Sequence, residues 1–115
     1  MKQNLIQDRT FQFALNIIKV YVQMTEKKEF VLSKQLLRSG TSIGANVEEA
    51  IGGQSKRDFL SKMNISLKET RETNYWLRLL KESKLVDVDF NPTLKESKEI
   101  MNIISAIVKT TKQNV

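Results

Sequence analysis

The residues of this chain best suited to chemistry are four glutamates, Glu48, Glu49, Glu69 and Glu72, carried on two segments of helical pattern. Gathered together they could form an all-carboxylate metal site or an acid–base pair. The same spacing is that of ordinary helix-surface charges, with Lys68 and Arg71 beside them. The chain has no His and no Cys, which removes Ser–His and Cys–His nucleophile activation, the Glu-x-x-His pairs of di-iron bundles and every thiolate ligand. Its four glycines lie too far apart for a phosphate-binding loop and follow no strand. We therefore expect a protein that is not an enzyme, with no metal and no cofactor.

A second grouping lies in Gly40-Thr41-Ser42-Ile43-Gly44-Ala45-Asn46-Val47-Glu48-Glu49. Two glycines inside a helix each cost about 1 kcal/mol relative to Ala, so they suggest close approach of another helix or of a site. Asn46 and Glu49 stand one turn apart beside the apolar Ile43, Val47 and Ala50. With Arg38, or with Glu69 and Glu72, they read either as a polar site or as a buried polar cluster that fixes helix register.

The basic residues say more. Net charge is +6 and the isoelectric point about 9.7. Between Lys56 and Lys84 eight basic residues face four acids. Arg57, Lys68, Arg71 and Arg78 fall within about 80° on a helical projection and could form one stripe for a polyanion. Pairing with Asp58, Glu69 and Glu72 would instead leave a neutral surface.

These residues need helices to position them, and the pattern supplies four. Phe11, Ala14, Leu15, Ile18 and Val22 recur at three- and four-residue steps from about Asp8 to Thr25, with Phe13, Ile17 and Tyr21 widening the stripe. After the charged connection Glu26-Lys27-Lys28-Glu29, Ser33 can cap a second helix carrying Leu36, Leu37, Ile43, Val47, Ala50 and Ile51. Gly52-Gly53 ends it, as glycine permits a left-handed cap. Ser55 followed by Asp58 has capping-box spacing and opens a third helix that runs to about Ser83. Asn91-Pro92 opens the fourth, and Thr93 with Glu96 offers a cap one turn later. Leu94, Ile100, Met101, Ile103, Ile104, Ile107 and Val108 supply its apolar face.

The expected fold is all-α, an antiparallel up-down-up-down four-helix bundle, with residues 1–115 forming a single domain. The third helix has a core seam of Phe59, Met63, Thr70, Thr73, Leu77 and Leu80, with Leu60, Leu67 and Asn74 beside it. Ile65, Tyr75, Trp76 and Leu79 fall on another side. That second stripe either rests on a neighbouring helix or forms an oligomer interface, and the broad apolar arc of the fourth helix favours the interface. Without a signal peptide, a long apolar run or any Cys, the cytoplasm is the expected location and no membrane contact is expected.

Ser42-Ile43-Gly44-Ala45-Asn46-Val47-Glu48-Glu49, preceded by Gln35-Leu36-Leu37-Arg38-Ser39, resembles the Ser-Ile-x-x-Asn-Ile-Ala-Glu signature of the 23S rRNA-intervening-sequence proteins. Phe59, Leu67-Lys68-Glu69, Glu72-Thr73 and Tyr75-Trp76-Leu77 resemble that family's second signature. The chain departs from the first at Glu48, where the family usually has a small residue, and at Val47, where it often has Ile. The resemblance implies an antiparallel four-helix bundle and a ring-like homo-oligomer. It points to a homopentamer, as in the related accessory proteins of diversity-generating retroelements, which bind a reverse transcriptase and nucleic acid through a basic surface. It implies bacterial origin and leaves function poorly defined.

The leading expectation is a non-catalytic oligomeric scaffold or adaptor contacting RNA, DNA or a nucleic-acid enzyme through the basic face of the third helix. The alternative is a structural or regulatory protein-interaction bundle that binds no nucleic acid and whose charge maintains solubility.

Overall fold

The computed structural model describes the backbone of residues 2–115 and the side chains of residues 5–115. Four helices follow one another: α1 (Lys2–Glu26), α2 (Leu32–Ile51), α3 (Lys56–Ser83) and α4 (Asn91–Gln113). At about 1.5 Å per residue α3 is about 42 Å long. It nearly spans the 46 Å long axis of the molecule. The helices stand at the corners of a square in chain order, so α1 packs on α2 and α4 while α3 packs on the same two.

Pairs across each seam establish direction. Between α2 and α3 they run Glu49 with Lys62, Ile43 with Ser66 and Ser39 with Thr73, so one number falls as the other rises. Between α1 and α2, Gln7 meets Glu48, Thr10 lies beside Gly44 and Ile17 beside Gly40. Between α1 and α4, Arg9 meets Glu99 while Val20 and Gln23 line a groove with Pro92. All are antiparallel, and the up-down-up-down bundle follows.

The core side of α1 differs from the expected stripe. Ile6, Phe13, Ile17, Val20 and Met24 are buried, with Phe13 at 1% and Ile17 at 0% exposure. Phe11, Leu15, Ile18 and Val22 instead remain 58, 40, 44 and 45% exposed. Both sets have helical spacing, so periodicity alone does not choose between them. The glycines of α2 do. A Cβ on Gly40 would come within 2.7 Å of the Ile17 side chain, and one on Gly44 within 3.2 Å of the Thr10 carbonyl oxygen. The missing side chains let α1 approach closely with its Thr10–Ile17 side inward.

The helix ends also differ from expectation at several points. Ser55 caps α3 as its spacing predicts, its Oγ accepting from the Asp58 N–H at 3.0 Å. Ser33 does not cap α2. It lies inside the helix, and the Glu29 carboxylate caps the end by accepting from the N–H groups of Val31, Leu32 and Ser33. Partial burial alone would raise the Glu29 carboxyl, but these three donors together hold it below the ordinary carboxylate value. The charged connection is therefore structural at its last residue. Asn91 is already helical, and its N–H is bonded to Asp89 Oδ1 at 3.0 Å. Neither Gly52 nor Gly53 adopts positive φ, whereas Lys28 and Lys84 do, at 67° and 54°. Gly52 ends α2 by donating to the Glu48 carbonyl at 3.1 Å.

Leu36, Ile43 and Val47 of α2, Met63, Leu77 and Leu80 of α3, and Ile100 and Ile104 of α4 close the core at 0–1% exposure. Burying such a side chain contributes about 1.5–3 kcal/mol. Small hydroxyl residues are interleaved with them. The Ser66 hydroxyl donates to the Ile43 carbonyl at 2.9 Å, and the Thr73 hydroxyl meets that of Ser39 at 2.9 Å. Among the described residues every buried side-chain polar atom has a partner, so the α2–α3 register is fixed without a buried charge. No helix among the described residues is long and apolar enough to cross a membrane.

Candidate nucleic-acid interface

The distribution of ion pairs decides which charges remain unopposed. Arg9 of α1 reaches Glu96 and Glu99 of α4 at 2.8 and 2.9 Å. Arg38 of α2 bridges to Glu69 at 3.2 Å and to Glu72, and Lys62 meets Glu49 at 3.0 Å. Two arginines thus hold Glu69 and Glu72 of α3 and Glu96 and Glu99 of α4 on the flanks that face away from the α3–α4 seam, while Asp58 and Glu82 of α3 are exposed and outside these pairs. Among the described residues no ion pair includes Arg57, Lys68, Arg71 or Arg78, and all four are exposed. The neutral salt-bridge surface allowed by the sequence is not what forms: Glu69 and Glu72 turn to Arg38. Lys68, one turn before Glu72, acts on its carboxylate only at longer range.

The buried Asn74 anchors this surface. Its Nδ2 donates to Ser97 Oγ of α4 at 3.1 Å, and its Oδ1 accepts from Arg78 Nε at 3.1 Å. The Arg78 guanidinium in turn lies 5.9 Å from the Tyr75 ring centroid, a cation–π distance. On α4 the next residue after Ser97 is the exposed Lys98, and Lys98, Lys109 and Lys112 fall within about 60° on the flank away from Glu96. Arg71 and Arg78 occupy the facing flank of α3. The cationic surface therefore follows the α3–α4 seam for about 30 Å, from Arg78 and Lys98 at one end to Arg57 and Lys112 at the other. Sequence reasoning found only the α3 half. The segregation of Glu96 and Glu99 from Lys98, Lys109 and Lys112 on a helical projection was the signal that could have found the rest.

The stripe Ile65, Tyr75, Trp76 and Leu79 is divided by the structure. Ile65 and Leu79 are 38 and 37% exposed and share an outward strip with the half-buried Trp76. Tyr75, 48% exposed, lies on the basic side against Arg78 and meets the Trp76 ring edge-on at 5.2 Å. The Trp76 Nε1–H donates to Glu72 Oε2 at 3.0 Å. The Arg38 hydrogen bond, ahead of the opposing effect of partial burial, holds the Glu72 carboxyl below the ordinary value of 4.5, and the indole bond acts the same way. A depressed carboxyl stabilises the folded state fully above its ordinary value and loses that contribution as pH falls through the lowered one. Emission of the chain's single tryptophan should therefore shift in acid below pH 4.5. In Glu72→Gln that transition should be lost, and an identical titration in wild type and variant would disprove the link.

Arg38, Asn46 and Glu49 do not form a buried polar cluster. Arg38 is half-exposed in its bridge to Glu69 and Glu72, the Asn46 amide donates to the Ser42 carbonyl of its own helix at 2.9 Å, and Glu49 is exposed at Lys62. Adjacency to Ile43, Val47 and Ala50 in sequence places them on the outer flank of α2. Interhelical polar contacts use Ser39, Ser66 and Thr73 instead. The four glutamates are likewise dispersed. Glu48 accepts from Gln7 Nε2 at 2.9 and 2.8 Å, away from Glu49, and no group of three or more possible ligands occurs among the described residues.

Comparison with known proteins agrees with this architecture. The sequence profile of the family described as 23S rRNA-intervening sequence protein matches residues 2–106. A solved structure of a protein with unknown function from the S23 ribosomal protein family of Bacteroides thetaiotaomicron is 45% identical, with a TM-score of 0.87. The alignment covers 95% of this chain and 99% of that one. Among curated proteins none matches.

Proposed function

The chain belongs to the 23S rRNA-intervening sequence protein family, and from that premise we propose that it is a non-catalytic homo-oligomeric scaffold or adaptor that contacts RNA or DNA along the α3–α4 surface. The observation that carries the reading is that Arg9 and Arg38 draw Glu69, Glu72, Glu96 and Glu99 away from that seam, which leaves Arg57, Arg71, Arg78, Lys98, Lys109 and Lys112 outside every ion pair of the described residues, with Glu82 the acid that stays among them. A row of cations displaces condensed counterions from a phosphate backbone, and this attraction needs no base-specific contact. In an assembly the row recurs in every subunit, so multivalency raises a modest affinity.

Resemblance to the accessory proteins of diversity-generating retroelements supports a homopentamer, with a nucleic-acid enzyme such as a reverse transcriptase as further partner, acting in the cytoplasm. Binding of the assembled protein to RNA and to single-stranded DNA across a salt series tests the reading. Log affinity should fall linearly with log salt, by about 0.7 per phosphate contact on single strands. Absence of binding at low ionic strength, or binding indifferent to salt, would overturn it in favour of a protein-interaction bundle.

A further inference from the structure

We propose that the α3–α4 surface is a site for single-stranded nucleic acid, with Tyr75 as the platform on which one unpaired base stacks. This rests on the nucleic-acid reading above and names its substrate class. Tyr75 is 48% exposed, and on a helical projection it falls inside the sector of Arg57, Lys68, Arg71 and Arg78. Arg71 stands one turn before it and Arg78 one turn after, about 10 Å apart along the helix axis. Of the two adjacent aromatic rings the core takes that of Trp76, while Tyr75 stays outside among the cations. The exposed ring is held in place all the same. The Arg78 guanidinium lies over it at 5.9 Å. Arg78 is itself fixed, since its Nε donates to Asn74 Oδ1 at 3.1 Å and Asn74 is bound to Ser97 of α4. On its other side the Trp76 ring meets Tyr75 edge-on, with 66° between the planes. A ring positioned before binding loses little rotamer freedom on binding.

This arrangement suits a flexible strand better than a duplex. Inside a duplex each base is covered on both faces by its stacked neighbours and the outer surface presents phosphates, so a tyrosine on the convex side of a helix meets no base. A single strand can turn one base onto the ring while its flanking phosphates reach Arg71 and Arg78. Lys98 follows Ser97, the residue that Asn74 binds, and so stands level with the ring on α4. Stacking on an aromatic side chain tolerates any base, and a guanidinium beside it adds to the attraction. The neighbouring acids do not cancel these cations. Glu72, one turn before Tyr75 on its other flank, is held by Arg38 and by the Trp76 Nε1–H. Glu82 is exposed two turns beyond Tyr75, and Asp58 lies about 25 Å away towards the start of α3. Lys68, Arg71 and Arg78 all stand within two turns of the ring.

The test measures binding of the full chain to oligodeoxythymidine, to an abasic strand of the same length and charge, and to a duplex of that length. Wild type should bind the strand with bases about 5- to 150-fold more tightly than the abasic one, the range for one stacked base. Tyr75→Leu should lose that factor on the strand with bases and bind the abasic strand and the duplex as wild type does. Its plot of log affinity against log salt should run parallel to the wild-type line, because no phosphate contact is removed. Tyr75→Phe keeps the ring and should bind as wild type, and so should Phe30→Leu, which removes a 53% exposed ring from the α1–α2 connection. Equal wild-type affinity for the two strands would overturn the stacking site and leave the nucleic-acid reading standing. Wild-type affinity in Tyr75→Leu, or an equal loss in Tyr75→Phe, would do the same. A changed solution mass in Tyr75→Leu would place the ring in a subunit contact and overturn the proposal too. Wild type that binds none of the three probes at low ionic strength would remove both readings together. Circular dichroism checks the fold of each variant, and Tyr75→Gln replaces Tyr75→Leu, with the same outcomes, if helicity is lost.

Discussion

Phe13→Ala should destabilise the fold by about 3–5 kcal/mol, and Phe11→Ala by less than about 0.5 kcal/mol, although the two phenylalanines stand two residues apart on one helix. Phe13 is 1% exposed in the core, whereas Phe11 is 58% exposed on the outer strip. Removing the buried ring loses its transfer free energy and leaves a cavity that rigid helix packing cannot close. Removing the exposed ring changes little that the folded monomer uses. Denaturant unfolding separates the two when slope and midpoint are both fitted. It should be done at one fixed protein concentration, so that any assembly adds to apparent stability under the same conditions for both variants. Equal losses at the two positions would mean that α1 is rotated about its axis relative to the structure described.

Replacing Arg57, Arg71, Lys98 and Lys109 together by glutamine should make the salt slope of nucleic-acid binding shallower by about 3 on single strands, since each lost phosphate contact removes about 0.7. Arg78 is left in place because its guanidinium satisfies the buried Asn74, and its loss would confound folding with binding. All four replaced side chains are exposed and outside every ion pair of the described residues, so helicity should be unchanged. A charge-matched control replaces Lys19, Lys27, Lys28 and Lys34, which are exposed on α1, α2 and their connection. If binding responds to net charge alone, the two quadruple variants will fall equally. If it responds to the α3–α4 surface, the control will keep most of the wild-type slope. Equal slopes in wild type and the surface variant would place the contact elsewhere.

The four helices, their number and much of their limits were legible because the signals that mark them are local. The Ser55 hydroxyl and Asp58 amide are three residues apart, and Pro92 at the start of α4 acts on its own backbone. The basic stripe on α3 was legible for the same reason, since helical geometry alone places Arg57, Lys68, Arg71 and Arg78 together. The α2 cap was harder, because a glutamate outside the helix, Glu29, does the work that a serine inside it was expected to do.

What local pattern could not supply was the rotation of each helix about its axis. Two apolar strips on α1 have the same period, and the choice between them falls to Gly40 and Gly44 on a different helix, where the absence of side chains admits Ile17 and Thr10. The charges follow the same rule. Glu69, Glu72, Glu96 and Glu99 could each neutralise a base on their own helix, and it is Arg38 and Arg9, arriving from neighbouring helices, that draw them away. Sequence by itself determined a four-helix chain with a cationic third helix and no histidine or cysteine for catalysis. Tertiary structure decided which apolar strips remain outside and which cations remain unopposed, because both depend on contacts between residues far apart in the chain.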